Sequence, residues 1–232
     1  MRKAAVICAK ELRVYFGSII GYVIVSAFLA VSGVAFFFWV NQFRASSMRP
    51  VFQIICVALL LSAPAITMRL LAGELGSGTA DLLFVSPVTP LQIVLGKFLF
   101  CLCLTLILLL STCYLPLLLL NYGAPDMGEI LAGYIGLLLA GAFFCSVGLF
   151  ASSLTKNTAV AVVLAVGMLL CLFLLPTGTN GPASIASAVS PFAHFSGFAK
   201  GVLDTKDAAF FLTGVGFFLF LATRVLRLRR RI

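Results

Sequence analysis

Six stretches of this chain are apolar for long enough, or nearly so, to cross a hydrocarbon core: roughly residues 18–40, 51–68, 97–120, 130–154, 158–177 and 209–223. Such a core takes about 20 residues of helix. Lipid offers the backbone no water to bond, so a spanning segment must satisfy its own amides, and uninterrupted apolar runs of this length do so as helices. A hydrophobic share of 62% against 10% charged residues places the chain outside the soluble globular range. The expected fold is an all-α integral membrane protein, a single transmembrane domain over residues 1–232 with six transmembrane helices. Pro64 and Pro116 fall within the second and third spans and predict kinks that neighbouring helices must tolerate. Gly17 and Gly21 form one small-residue pair, and Gly133, Gly136, Gly141 and Gly148 dot the fourth span, where they would let helices approach closely.

The charges then orient the bundle. With these spans, one face takes twelve basic residues: Arg2, Lys3, Lys10, Arg13, Arg69, Lys97, Lys156, Arg224, Arg227, Arg229, Arg230 and Arg231. The other takes Arg44, Arg49, Lys200 and Lys206. The positive-inside rule puts both termini and the loop between spans two and three in the cytoplasm. It also accounts for the net charge of +9 without nucleic acid. Residues 2–16 gather Arg2, Lys3, Lys10 and Arg13 in one sector of a helical wheel with Cys8, Leu12 and Tyr15 roughly opposite, the pattern of an interfacial helix lying ahead of the first span. Val6 falls inside the basic sector, so a plain extension of the first span competes with that reading. The first apolar segment has full spanning length and no small-residue cleavage site, which argues against a secretory signal.

The stretch from Arg69 to Lys97, RLLAGELGSGTADLLFVSPVTPLQIVLGK, differs from everything around it. It carries two acids, three glycines within six residues and two prolines, so it belongs in water or among headgroups. Gly73, Gly76 and Gly78 disfavour a continuous helix. Thr79 can cap a short turn over residues 80–84 that Ser86-Pro87 ends, and Thr89, Pro90 and Gln92 form a capping box opening a helix that runs past Lys97. A short helix, a break and a new helix pinned between two spans make either an ordered connector or a rigid knob for a soluble partner.

On the opposite side, Asp126/Glu129 and Asp204/Asp207 stand three residues apart just before spans, which suits helix capping better than cation binding. In the outer segment, residues 178–208, Phe192, Phe195 and Phe198 recur at spacing three and would form one face of a helix on the membrane or over the bundle. His194, with no adjacent ligand, reads as a surface or packing residue. The seven cysteines all lie in apolar stretches and suggest neither disulfides nor metal; Cys101 and Cys103, two residues apart, point to roughly opposite faces of a helix. With these spans no ionisable side chain falls mid-membrane, which disfavours an ion-coupled carrier. The Gly96-Lys97 pair has Leu91 and Phe98 where a phosphate-binding loop needs Gly and Ser or Thr, and HExxH and GxSxG do not occur. An enzyme is not expected.

The string PAITMRLLAGELGSGTADLLFVSPVTPLQIVLGKF, with KELRVYFGSIIGYV, YGAPDMGEILAGYIGLLL and GLFASSLTKN, resembles the permease subunits of ABC-2 type transporters, most closely the gliding-motility-associated subgroup. The resemblance implies six membrane helices behind an amphipathic helix and a pair of permeases, either two copies or two paralogues. It further implies a cytoplasmic ATPase subunit that carries ATP and magnesium, none being held by this chain, and, in the gliding subgroup, a membrane-anchored accessory subunit. It makes the loop between helices two and three a coupling helix that contacts the ATPase. Carried over, Glu74, Gly78, Thr79, Asp81, Leu82, Leu83, Ser86 and Pro87 would form that contact, with Arg2, Lys3, Lys10, Glu11 and Arg13 on the adjoining interfacial helix. Gly76-Ser77 stands where many relatives carry a charge before the Gly-Thr pair.

The function expected on this basis is the membrane subunit of an ATP-driven exporter in the bacterial inner membrane. A membrane anchor or signalling subunit that recruits a partner through the same loop is the competing class. A secondary transporter is a third, disfavoured by the lack of an inverted repeat.

Overall fold

The computed structural model describes residues 2–43, 48–78, 89–119, 126–174 and 189–229. Among these, ten helices follow in order: α1 (Arg2–Phe16), α2 (Ile19–Phe43), α3 (Arg49–Thr67), α4 (Ala72–Gly76), α5 (Pro90–Ser111), α6 (Tyr114–Leu119), α7 (Met127–Leu154), α8 (Thr158–Phe173), α9 (Pro191–Phe198) and α10 (Thr205–Arg229). The described residues contain no strand.

Five helical segments are long and apolar enough to cross a membrane: Ile19–Val40, Arg49–Gly76, Pro90–Leu119, Met127–Leu154 and Thr205–Arg229. The chain is thus a multi-pass, all-helical membrane protein. The fifth expected span, 158–177, is α8, which has 16 described residues. That length rises about 24 Å, short of a ~30 Å core; residues 175–177 lie outside the described part. The last span is longer than expected, because the helix starts at Thr205 rather than 209 and continues to Arg229.

Helix α7 is the axis of the bundle. Of its most apolar stretch 72% is buried, against 28% for α2 and 22% for α10, which face outward. The glycines of α7 explain how it holds that position. A Cβ at Gly133 would strike the Phe52 ring of α3, one at Gly141 would strike Thr105 of α5, and one at Gly148 would strike Thr67 at the end of α3. Each glycine therefore lets a different neighbour come closer than any side chain permits, which in lipid replaces the hydrophobic drive for helix association.

Pro64 lies inside α3 without ending it. Pro116 has a visible effect: the third span is split into α5 and α6. Pro116 supplies no amide for the Thr112 carbonyl four residues back. The Tyr134 hydroxyl of α7 donates to that carbonyl at 3.0 Å instead.

At the end of the bundle where α7 begins, Asp126 is the α7 N-cap and accepts from Gly128 N at 2.8 Å. Asp204 accepts from Lys206 N at 3.0 Å. Asp207 departs from the capping role: its Oδ1 lies 2.6 Å from His194 Nδ1, and the His194 ring stacks on Phe210 at 4.1 Å. The two residues tie α9 to α10. Phe195 and Phe198 of α9 are fully buried over the bundle, while Phe192 packs edge-on to Phe173 of α8 at 5.0 Å. This is the phenylalanine face expected of the outer segment, and Gly201, at φ +82°, turns the chain out of it.

Candidate functional site

The opposite end of the bundle brings together α1, the C-terminal end of α3 with α4, the start of α5, the end of α7, the start of α8 and the end of α10. Local sequence sets the start of α5. Thr89 caps α5 in a full capping box: Gln92 N donates to Thr89 Oγ1 at 3.4 Å and Thr89 N to Gln92 Oε1 at 3.2 Å. With the helix start fixed at Pro90, Lys97 is its eighth residue, two turns in, and it is 1% exposed.

An ammonium there must be paired, and it is. Lys97 Nζ lies 2.7 Å from Glu74 Oε2 of α4 and 3.4 Å from Glu11 Oε1 of α1, and it donates to the Leu70 carbonyl. The three donors of the ammonium thus meet three acceptors from three separate segments. The sequence opens this helix at Pro90 but starts the span at 97, which makes Lys97 only a topology marker. The segment long and apolar enough to cross a membrane starts at Pro90, so an ionisable side chain lies inside it, near its end.

The second contact that sequence reading missed is Ser152. Its hydroxyl, on the last turn of α7, accepts from Leu71 N at 3.3 Å and Ala72 N at 2.9 Å and donates to Met68 O at 3.2 Å. No residue before α4 caps it, since its N-cap is Leu71. A serine 80 residues away does so instead. Long-range caps leave no local spacing to find.

Despite the three glycines, α4 is helical through Gly73 and Gly76. Gly76 is retained for proximity: a Cβ there would come 2.5 Å from the Lys156 carbonyl in the α7–α8 turn. Gly78 follows with φ +73°, a left-handed conformation that suits glycine. The same end is closed by Arg229, whose Nη2 donates to the Leu154 carbonyl at 2.6 Å.

Helix α1 lies along α5. Gly96 makes this possible, since a Cβ there would come 2.9 Å from Ile7 Cβ and 3.0 Å from the Ala4 carbonyl. Ala4 and Cys8 are buried against the bundle, whereas Val6, Lys10 and Arg13 are exposed, as an interfacial helix requires. Cys101 faces Cys145 of α7 while Cys103 lies beside Cys8, the divergence expected of positions two apart. Burial, with the Cys101 thiol nearby, pushes the Tyr15 phenol up to about 12.

Of the residues expected to contact a partner, Glu74 and Glu11 are joined through Lys97, while Lys10 and Arg13 lie exposed on the same helix as Glu11. Gly78 is at the exposed end of the α4 turn, and Arg2 and Lys3 are in the first turn of α1. Thr79, Asp81, Leu82, Leu83, Ser86 and Pro87, with the short helix expected at 80–84, lie outside the described residues.

A family model described as ABC-2 family transporter protein matches residues 47–222, most of the 232-residue chain. No curated protein matches the chain.

Proposed function

Since the chain belongs to the ABC-2 family transporter proteins, we propose that it is the membrane subunit of an ATP-driven exporter, driven by a separate ATPase through residues 69–97. In this reading ATP and magnesium stay on the ATPase. The chain pairs with a second copy or a paralogous permease, and a membrane-anchored accessory subunit and a role in gliding motility complete the subgroup reading. It sits in the bacterial inner membrane with both termini in the cytoplasm, an orientation supported by the twelve basic residues that the sequence spans assign to one side.

The observation that carries the reading is the Glu11–Lys97–Glu74 network. A loop that receives a push must be tied to what it moves, and here one buried ammonium binds α4, α1 and α5 together. Ser152 ties the same turn to the central helix α7. Force applied at residues 79–88 would then reach both the interfacial helix and the axis of the bundle, biasing two arrangements of the spans. Glu74 and Glu11 act inside the junction, holding it together. The partner-facing contact falls to Gly78, Thr79, Asp81, Leu82, Leu83, Ser86 and Pro87, with Lys10 and Arg13 and the first-turn Arg2 and Lys3 beside them.

The test is an Asp81→Ala/Leu82→Ala variant, co-expressed with a candidate ATPase subunit and reconstituted in proteoliposomes. We expect normal membrane insertion, with ATP hydrolysis no longer stimulated by the permease. A variant with unchanged partner binding and unchanged stimulation would remove the coupling assignment and favour an anchor.

A further inference from the structure

The junction contains a cavity of about 600 Å³ between α1, the first turn of α2, the end of α3 and α5. That volume is in the range of small-ligand sites. Its walls divide by chemistry. Ile20, Ala65, Ile66 and Phe100 form an apolar side, and Lys10 and Arg69 stand on its rim, exposed and with no ion pair among the described residues. The Tyr15 ring also lines the cavity, held edge-on to Phe100 at 5.5 Å, while its hydroxyl is closed off from solvent.

Glu11 and Glu74 also line the cavity, but both are turned to Lys97. Counting Lys10, Arg69 and Lys97 against the two acids leaves one positive charge in excess. Such a site takes an amphiphile: an anionic head for Lys10 and Arg69, and a chain for the apolar wall. It also lies against α1, an amphipathic helix of the kind that seats itself among lipid headgroups.

We propose that this cavity is a binding site for one anionic phospholipid, a phosphodiester head with a single negative charge, which bridges α1 to the end of α3. The bound head complements the excess charge and fastens the interfacial helix to the turn that carries Glu74. The inference rests on the chain's membrane placement; because Lys10 also belongs to the proposed partner-facing set, its test reads lipid retention and not ATP hydrolysis.

The experiment uses the full chain in nanodiscs of phosphatidylcholine with phosphatidylglycerol at matched mole fractions, followed by native mass spectrometry and thermal unfolding. Wild type is expected to retain one phosphatidylglycerol in preference to phosphatidylcholine by at least tenfold, with a raised Tm. Lys10→Gln/Arg69→Gln should lose that preference while unfolding normally in phosphatidylcholine alone. Equal retention of the two lipids by wild type would overturn the proposal whatever the variants do. So would variants that keep the wild-type preference. Displacement of the lipid by glycerophosphoglycerol at equal concentration would also overturn it, by showing a site for a soluble phosphodiester with no use for the chain.

Discussion

Lys97 is where the account is most exposed at the scale of single residues. A buried ammonium between two carboxylates is stable as a set and unstable when broken, because either remaining partner is left without compensation in a poorly solvated place. Lys97→Met leaves Glu11 and Glu74 facing each other and should cost about 3–5 kcal/mol, read as a fall in unfolding temperature in detergent. Adding Glu11→Gln and Glu74→Gln to that variant should recover much of the loss, and purely additive effects would mean the three do not act together. Ser152→Ala removes the acceptor for two amides and should cost about 1 kcal/mol, the usual worth of a helix cap. Hydrogen exchange at Leu71 and Ala72 should accelerate while the rest of α7 is unchanged. Both residues show why sequence reading stopped short. The Thr89 box was legible and fixed the start of α5, so the position of Lys97 two turns inside followed from it. Its partners did not, since Glu11 and Glu74 lie 86 and 23 positions away and nothing in a pattern of spacing joins them.

At the scale of elements, α1 and α7 are the helices whose roles depend on glycine. Gly96→Val should push Ile7 and the Ala4 backbone off α5, lifting α1. Cys8, 8% exposed in the native arrangement, should then react with a maleimide added from the α1 side, while the wild type stays protected. Tyr15 on the same helix gives a pH test. Its folded value, raised by burial to about 12, lies above the ordinary phenol near 10, so its contribution is fully present below about pH 10 and is lost as pH rises through 12. Wild-type stability in detergent should therefore fall more steeply over that alkaline window than that of Tyr15→Phe. The amphipathic face of α1 was readable from charge placement alone, and the phenylalanine face of α9 from spacing. The α5–α6 break was half-readable: Pro116 announced a kink, but the Tyr134 hydroxyl that satisfies Thr112 comes from another helix. The place of Asp207 in the first turn of α10 was readable, but its pairing with His194, 13 residues away on α9, carries no local signature.

At the scale of the whole molecule, the fold was largely written in hydropathy, since lipid leaves a chain of this composition almost no alternative to a helical bundle. What hydropathy does not contain is the order of packing, with α7 at the axis and α2 and α10 outside, because all these helices are apolar all round. The arrangement has a functional corollary. Every segment with a role in the proposed coupling reaches the same end of the bundle, so the load enters at one face and is passed to one central helix. The measurement that tests this most directly is recovery of the tagged chain from its native membranes in mild detergent, with quantification of what accompanies it. The expected result is a stoichiometric ATPase subunit that is lost when Asp81 and Leu82 are both replaced by alanine. Recovery of the intact chain with no ATPase, even after cross-linking in the membrane, would contradict it.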